Sequence, residues 1–262
     1  MMAFVSFQHL SNWQAARIFT AEEAELARPS RDSKRRSEHP PLPDRRGSAF
    51  QTIYNSLTGH NFLKGVRVLP SASGARIRIA QQEDSVAIAA VHAASWRGSY
   101  RGILSDKYLN DELESERLSI WKQRLEFPKT NQYVTVAEQE SQIVGFACAF
   151  GAEDELLGTM LDNLHVSTSQ KGKGIGRKLV RDIAFWCDRS YPSKGLYLWV
   201  FEQNIPARRF YELLEGVVVG EAHWSAPDGT VVKEIRYAWK NITELIAATQ
   251  LQGAIAARVR RR

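Results

Sequence analysis

A glycine-rich and strongly basic loop limits what this chain can fold into more than any other feature. The loop, QKGKGIGRK at residues 170–178, follows a strand-like segment and precedes apolar residues at helical spacing. Glycines let backbone N–H groups approach an anion without interference from a Cβ atom. The following helix adds unpaired N–H groups and the positive end of its dipole. This glycine loop therefore predicts a pyrophosphate site at a strand-to-helix junction.

The glycine spacing excludes two common phosphate-binding motifs. A mononucleotide P-loop requires G-x-x-x-x-G-K-[ST], and the glycine loop does not contain it. A dinucleotide fingerprint requires G-x-G-x-x-G after the first strand of a βαβ unit, whereas this loop has G-x-G-x-G behind a late strand. The alternative to phosphate binding is a solvated basic turn that caps a helix.

Strand-like and helix-like segments follow one another on both sides of the loop. Alternation or short apolar runs predict strands at residues 76–80, 133–137, 143–150, 158–166, 196–201, 217–224 and 230–239. Helices are predicted after Asp84, over 105–125, after the glycine loop and after Asn204, with Asp84 and Asn204 as N-caps. This order predicts a mixed α/β (α+β) domain over residues 74–240.

The segments before and after this domain differ from it in amino-acid composition. Residues 1–73 form a basic, low-complexity extension, and its segment 29–48 is too rich in Pro, Ser and charge to bury a core. We expect it to be largely disordered, with isolated helices near 11–27 and 49–69. Residues 241–262 form a basic tail with helical potential between 245 and 259. Much of the net charge of +6 lies in these flanks.

The composition argues against a membrane-spanning, secreted, disulfide-bonded or metal-binding protein. No apolar run reaches the roughly 18–20 residues of a membrane span, and the first residues lack the features of a secretory signal. The two cysteines, Cys148 and Cys187, lie in apolar stretches and are predicted to be buried thiols, not a disulfide or metal site. We expect a cytoplasmic protein with no metal and no membrane partner. Nucleic acid is disfavoured because the terminal arginines lack interleaved aromatic residues.

Three further segments extend the pattern around the glycine loop. They are Leu164-His165-Val166, residues 204–211 (NIPARRFY) and Gly216. Together with the order of elements, they make residues 74–240 resemble the GNAT superfamily of N-acetyltransferases. The resemblance implies a central, mostly antiparallel, twisted sheet of about seven strands, flanked by about four helices. It also implies that the fourth and fifth strands splay apart.

The glycine loop departs from the family pattern at two positions. That pattern is [QR]-x-x-G-x-[GA], with Gly174 and Gly176 here at the two small positions. Lys171 takes the Gln or Arg position, and Thr168 stands where a proline is common. Both departures are tolerable, because such a loop binds mainly through backbone amides.

The resemblance implies acetyl-CoA as co-substrate and a set of residues that bind it. These are Leu164, Val166, Lys171, Gly172, Lys173, Gly174, Ile175, Gly176, Arg177, Asn204 and Tyr211. The Val166 N–H is expected to face the thioester oxygen, where a fixed amide stabilises developing negative charge. Tyr211 is expected to protonate the leaving thiolate; its alternative role is packing of a helix against the sheet. Asn204 has a helix N-cap as its alternative role.

The base that takes the amine proton is less well defined. Where several members of the family carry a glutamate, this chain has Met160, and alternation places Asp162 on the same strand face. Asp162 is therefore the first candidate for base or substrate anchor, with Glu155 and His165 as weaker ones. A water chain without a dedicated base is the alternative. Trp96 and Tyr100 are the candidate substrate contacts, as an aromatic wall suited to an apolar or cationic acceptor.

Three functions follow from these assignments. The first is transfer of an acetyl group to a primary amine of a small molecule, by direct attack in a ternary complex. The second uses the same chemistry on a protein or peptide amine. The third is a CoA-binding or nucleic-acid-associating module without turnover. A homodimer is left open.

Overall fold

The computed structural model describes the backbone of residues 74–259 and side chains up to residue 250. The expectations for residues 1–73 and for the last three residues therefore lie outside the described residues. No helix in the described range is both long and apolar enough to cross a membrane.

Seven strands form one sheet in the described range. They are β1 (Arg76–Ile79), β2 (Gln132–Gln139), β3 (Gln142–Asp154), β4 (Gly158–Val166), β5 (Leu196–Phe201), β6 (Val217–Ser225) and β7 (Val231–Trp239). Their order across the sheet is β1-β2-β3-β4-β5-β7-β6. Every neighbouring pair is antiparallel except β4 and β5, which are parallel. The predicted mixed architecture with a mostly antiparallel sheet is confirmed.

Five α-helices accompany the sheet in this range, consistent with the prediction of about four around the sheet, and the fifth lies in the tail beyond residue 240. They are α1 (Ser85–Tyr100), α2 (Leu113–Glu126), α3 (Ile175–Ser190), α4 (Ile205–Leu213) and α5 (Ile242–Val259). A short π-helical segment, Tyr108–Glu112, leads into α2. The glycine loop lies between β4 and α3, as predicted.

The sheet is covered on both faces. Leu179 and Ile183 of α3 pack in a core cluster with Leu245 of α5 and β5 residues, whereas Trp121 of α2 packs with Phe146 in a cluster on the other face. Continuous burial of β5 on both sides explains why its sequence is an almost unbroken apolar run. Helices on both faces thus leave the carboxyl ends of β4 and β5 as the natural position for a site.

The two predicted helix caps have different outcomes. Asn204 Oδ1 accepts a hydrogen bond from the Ala207 N–H at 3.3 Å, which confirms this N-cap of α4. Asp84 precedes α1 but makes no capping bond to it. Its carboxylate instead accepts bonds from the Arg78 guanidinium at 2.6 and 2.9 Å and from the Gln81 N–H at 2.8 Å. The Asp84 carboxylate is therefore engaged in an ion pair with Arg78 and does not cap the helix. No local sequence pattern indicates this ion pair.

The core continues beyond residue 240, where the sequence pattern placed the end of the domain. Ile242 and Leu245 of α5 are buried in the same cluster as α3, with 6% and 1% of their surface exposed. We therefore propose that the folded unit includes α5.

The two cysteines are free and buried, as predicted. They belong to core clusters on opposite faces of the sheet. Burial raises the pKa of each thiol to about 12, so both stay protonated and unreactive at neutral pH.

Candidate active site

The site begins where β4 and β5 separate. The two strands pair only at Thr159 with Leu196 and at Met160 with Tyr197. Beyond Met160, β4 continues to pair with β3 while its other edge faces a gap. Backbone groups on that edge have no strand partner and are available to a ligand. The predicted splay is present, and it opens toward the glycine loop.

A β-bulge at Asp162 decides which amides face the gap. Cys148 and Ala149 of β3 are adjacent, but they pair with Asn163 and Leu161, so Asp162 is an extra residue in β4. The Thr159 N–H donates to Gly195 O on the β5 side, whereas the Ser167 N–H donates to Val144 O on the β3 side.

These two amides are an even number of residues apart, and in a regular strand they would face the same edge. The extra residue reverses the direction. Counting back from Ser167, the N–H groups of Val166 and Leu164 face the gap and that of His165 faces β3. The bulge thus places the two amides that the resemblance assigned to the coenzyme on the open edge.

One guanidinium holds both side chains of the bulge. Arg124 Nη1 of α2 lies 2.6 Å from Asp162 Oδ2 and 3.0 Å from Asn163 Oδ1. The Asp162 side chain is only 3% exposed. Because the carboxylate is already paired with the Arg124 guanidinium, Asp162 is better suited to fixing the bulge of β4 than to accepting a proton from a substrate.

The glycine loop closes the other side of the gap. Gly174 has φ of +82°, a left-handed conformation that only glycine adopts readily, and it is the N-cap of α3. The free N–H groups of the first turn of α3 are thereby directed at the gap.

A cavity of about 830 Å³ connects the gap, the glycine loop and the ends of α1 and α4. Of the site residues predicted from the sequence, Glu155, a weaker candidate for the base, is not among the lining residues, whereas His165 and all the others are. The others are Trp96, Tyr100, Asp162, Leu164, Val166, Lys171, Gly172, Lys173, Gly174, Ile175, Gly176, Arg177, Asn204 and Tyr211. The structure thus brings them together in one space; the role of each stays a prediction.

Two tyrosines, Tyr211 and Tyr100, lie on the wall of this cavity. Burial raises the pKa of Tyr211 above its usual range, and the neighbouring Tyr100 adds to the effect. Burial likewise raises the pKa of Tyr100 to about 12, although a hydrogen bond with the Asn204 side chain works in the opposite direction. Both phenols therefore keep their protons at neutral pH.

Aromatic rings packed around Tyr100 line one part of the cavity wall, named here the aromatic floor. The Tyr100 ring lies 4.6 Å from Phe201 and 5.1 Å from Trp96, measured between ring centroids. Trp224 packs behind them at 5.3 Å from Phe201 and 6.2 Å from Trp96. Arg117 lies over the Trp96 ring at 4.7 Å. This aromatic floor combines the candidate substrate contacts with rings from β5 and β6.

Among the described lining residues, Glu234 of β7 is the one acidic residue besides Asp162, and the sequence analysis did not predict it. It pairs with Phe201 across the sheet and is 1% exposed. Its charge contributes to the raised pKa of Tyr100, so the two side chains are close. Alternation along β7 puts Glu234 on the same face as the buried Val232. A charged residue on the apolar face of a strand is the sequence feature that could have identified Glu234 as a site residue.

A pair of histidines lies beside the bulge. His165, on the cavity wall, contacts Ser95 Oγ through Nδ1 at 3.0 Å and packs 4.4 Å from the ring of His92. Burial lowers the pKa of His165 to about 3, with further effects of the Arg117 and Lys171 charges. Burial also lowers the pKa of His92, and the charge on His165 adds to this. Both imidazoles are neutral at pH 7.

No group of three or more His, Cys, Asp or Glu side chains in the described part of the chain is arranged to hold a metal ion.

The neutral histidine pair predicts that stability falls as the pH drops. A histidine with a lowered folded-state pKa binds more protons when unfolded, so its contribution is complete above about pH 6.5 and is lost toward pH 3. For His165 alone the slope is at most about 1.4 kcal/mol per pH unit. Urea unfolding between pH 7.5 and 5 measures it. His165→Asn should flatten the slope, and the control His223→Asn, an exposed position of β6, should not. Equal slopes in wild type and His165→Asn would contradict this.

Comparisons with known proteins agree with this geometry. The profile of the acetyltransferase (GNAT) family matches residues 96–216. A probable N-acetyltransferase of Mycobacterium tuberculosis is 31% identical over 171 residues, which is 63% of this chain and 93% of that protein. A spermine/spermidine N(1)-acetyltransferase of Bacillus subtilis is 31% identical over 102 residues, 37% of this chain and 66% of that protein.

Among solved structures, a GCN5-related N-acetyltransferase from Rhodopseudomonas palustris has the same fold. The two share 18% sequence identity with a TM-score of 0.51, over 63% of this chain and 95% of that one. The M. tuberculosis relative is matched over nearly its whole length. The chain therefore belongs to the acetyltransferase (GNAT) family and is an acyltransferase that uses acetyl-CoA as its co-substrate.

Proposed function

We propose that this chain transfers the acetyl group of acetyl-CoA to the primary amine of a small molecule, by direct attack in a ternary complex. One observation carries the proposal: a single cavity runs from the glycine loop, past the amides of β4, to an aromatic floor with a buried carboxylate. Acetyl-CoA and the amine acceptor can therefore bind in this cavity at the same time, next to each other. Holding both in place removes much of the entropic cost of bringing them together.

In this proposal the donor end is built from backbone. The glycine loop and the first turn of α3 bind the diphosphate, and Asn204 contacts the pantetheine arm. The N–H groups of Leu164 and Val166 face the gap left by β5, and the Val166 N–H donates to the thioester oxygen. A fixed donor at this position stabilises the negative charge that develops when the amine attacks.

Tyr211 is the proposed proton donor to the leaving sulfur. Its raised pKa keeps the phenol protonated until the carbon–sulfur bond breaks. The amine nitrogen then forms its bond to the acetyl carbon, and the coenzyme leaves as a thiol with the phenol proton. The phenol is restored from solvent, and one proton is released overall from an ammonium substrate.

Glu234 is the proposed anchor and base for the acceptor. An alkylammonium has a pKa of about 10.4, so it enters charged and must lose a proton before it can attack. Within the cavity, the Asp162 carboxylate is held by Arg124 at the bulge of β4, whereas the buried Glu234 carboxylate lies beside Tyr100, one of the candidate substrate contacts. This assignment replaces Asp162 as the first candidate for the base.

The wall chemistry favours an amine with one ammonium group and an apolar or aromatic body. The aromatic floor offers apolar surface and ring faces that attract cations. Similarity to the spermine/spermidine N(1)-acetyltransferase supports an amine acceptor. However, a polyamine with several charges would need more carboxylates than the two among the described lining residues. A protein or peptide amine is the second candidate. A cytoplasmic location stays a prediction.

Removing the Tyr211 hydroxyl should slow turnover without weakening donor binding. We expect Tyr211→Phe to lower kcat by roughly 100-fold, within the usual range for loss of a general acid. The Kd for acetyl-CoA, measured by calorimetry, should change less than about threefold, because the phenol is not needed for phosphate contacts. The control Tyr191→Phe alters a tyrosine that packs on Trp186, away from the cavity. Normal turnover in Tyr211→Phe would exclude Tyr211 as the acid.

Neutralising Glu234 should act on the acceptor side alone. A panel of phenethylamine, spermidine, spermine and a lysine-containing peptide, with release of free thiol as the readout, first identifies the preferred acceptor. Glu234→Gln should then lower kcat/KM for that amine by about 100-fold, with acetyl-CoA affinity retained. The control Glu221→Gln removes a carboxylate from the exposed face of the neighbouring strand β6. Preference for the peptide would favour the second candidate, and no turnover with any amine would count against both.

A further inference from the structure

A second, smaller cavity of about 240 Å³ adjoins the glycine loop. One side is formed by the loop and α3, and the other by α5. Its lining residues are Lys173, Gly174, Arg177, Lys178, Arg181, Thr249 and Gln250. Lys173, Gly174 and Arg177 also line the main cavity, so the two spaces meet at the loop.

Among the described side chains on the wall of this second cavity, four are cationic and none is a carboxylate. Lys173 Nζ donates to Gln170 Oε1 at 2.9 Å, and Lys178 Nζ to the Ala75 carbonyl at 3.2 Å. Within the described part of the chain, neither Arg177 nor Arg181 takes part in an ion pair. The nearby Asp182 accepts a hydrogen bond from the Tyr133 hydroxyl.

Arg177 and Arg181 stand one helical turn apart on α3, where like charges repel each other. Burial lowers the pKa of Arg177, and the charge of Arg181 adds to this effect. A bound anion would offset the repulsion. Arginine side chains present planar pairs of donors that match phosphate oxygens.

We propose that the second cavity binds the 3′-phosphate of CoA while the glycine loop holds the diphosphate. The inference rests on acetyl-CoA as the co-substrate. Both phosphate groups are attached to the same ribose, which fits two cavities that share part of their walls. The wall supplied by Thr249 and Gln250 belongs to α5, outside the residues that the family profile matches. The proposed phosphate contact therefore involves residues of this chain that lie outside the segment 96–216 matched by the family profile.

The test compares CoA with 3′-dephospho-CoA, each titrated calorimetrically into the full-length chain. A charge-assisted phosphate contact predicts that CoA binds roughly tenfold to 100-fold more tightly. Equal affinity for the two compounds in wild type would overturn the inference while leaving the proposed activity intact. Failure of both compounds to bind would contradict the proposed function and, with it, this inference.

Two pairs of variants localise the effect. Arg181→Gln should reduce the affinity ratio to less than a third of the wild-type value, while Arg189→Gln, at an exposed position of the last turn of the same helix, should preserve it. On the opposite wall, Gln250→Glu should reduce the affinity ratio, because it adds a negative charge to the cavity. The control Ala247→Glu places the same charge at an exposed position of α5 outside the cavity and should preserve the ratio. An unchanged ratio in Arg181→Gln and Gln250→Glu would overturn the assignment to this cavity.

Discussion

The contact of Arg124 with Asp162 and Asn163 is the interaction on which the site depends. One guanidinium nitrogen bonds both residues of the bulge, and the carboxylate it meets is almost completely buried. Loss of one partner from such a pair typically costs about 3–5 kcal/mol, because the other charge is left unpaired. The bulge in turn decides the direction of every amide between Asn163 and Ser167. A salt bridge on one face of the sheet thereby controls which backbone groups meet a ligand at its edge.

Three features then act together at that edge. The parallel pairing of β4 and β5 ends after two residue pairs, which opens the gap. The left-handed Gly174 starts α3 at the same end of the sheet, so the free amides of α3 and of β4 face one cavity. Glu234 and the aromatic floor reach it from the other side. Little of this machinery uses exposed side chains, so the fold itself holds the groups in position without a further ordering cost.

Much of this architecture follows from local sequence patterns. Alternation and apolar runs predict all seven strands, because six of them contain buried residues and the edge strand β1 alternates arginine with isoleucine. The glycine spacing predicts the loop, in which Gly174 has the left-handed conformation that favours glycine. Asn204 caps its helix as local chemistry requires.

The remaining features depend on residues that are distant in sequence. A bulge is a mismatch between two strands, so the position of Asp162 cannot be seen without the register of β3. Burial of Glu234 depends on packing of β7 beside β5, and Asp84 is drawn from its helix by Arg78. Packing of α5 into the core depends on α3. Sequence periodicity reports which face of an element is buried but not what it meets there.

The most direct test of this account is residue-specific amide hydrogen exchange of β4 by NMR, with and without acetyl-CoA. The bulge directs the amides of Leu164 and Val166 to the gap, and those of His165 and Ser167 to β3. The account predicts that Leu164 and Val166 exchange rapidly in the free protein and become protected by acetyl-CoA, while His165 and Ser167 are protected in both states. Protection of Leu164 and Val166 without ligand, or no change when acetyl-CoA binds, would contradict it.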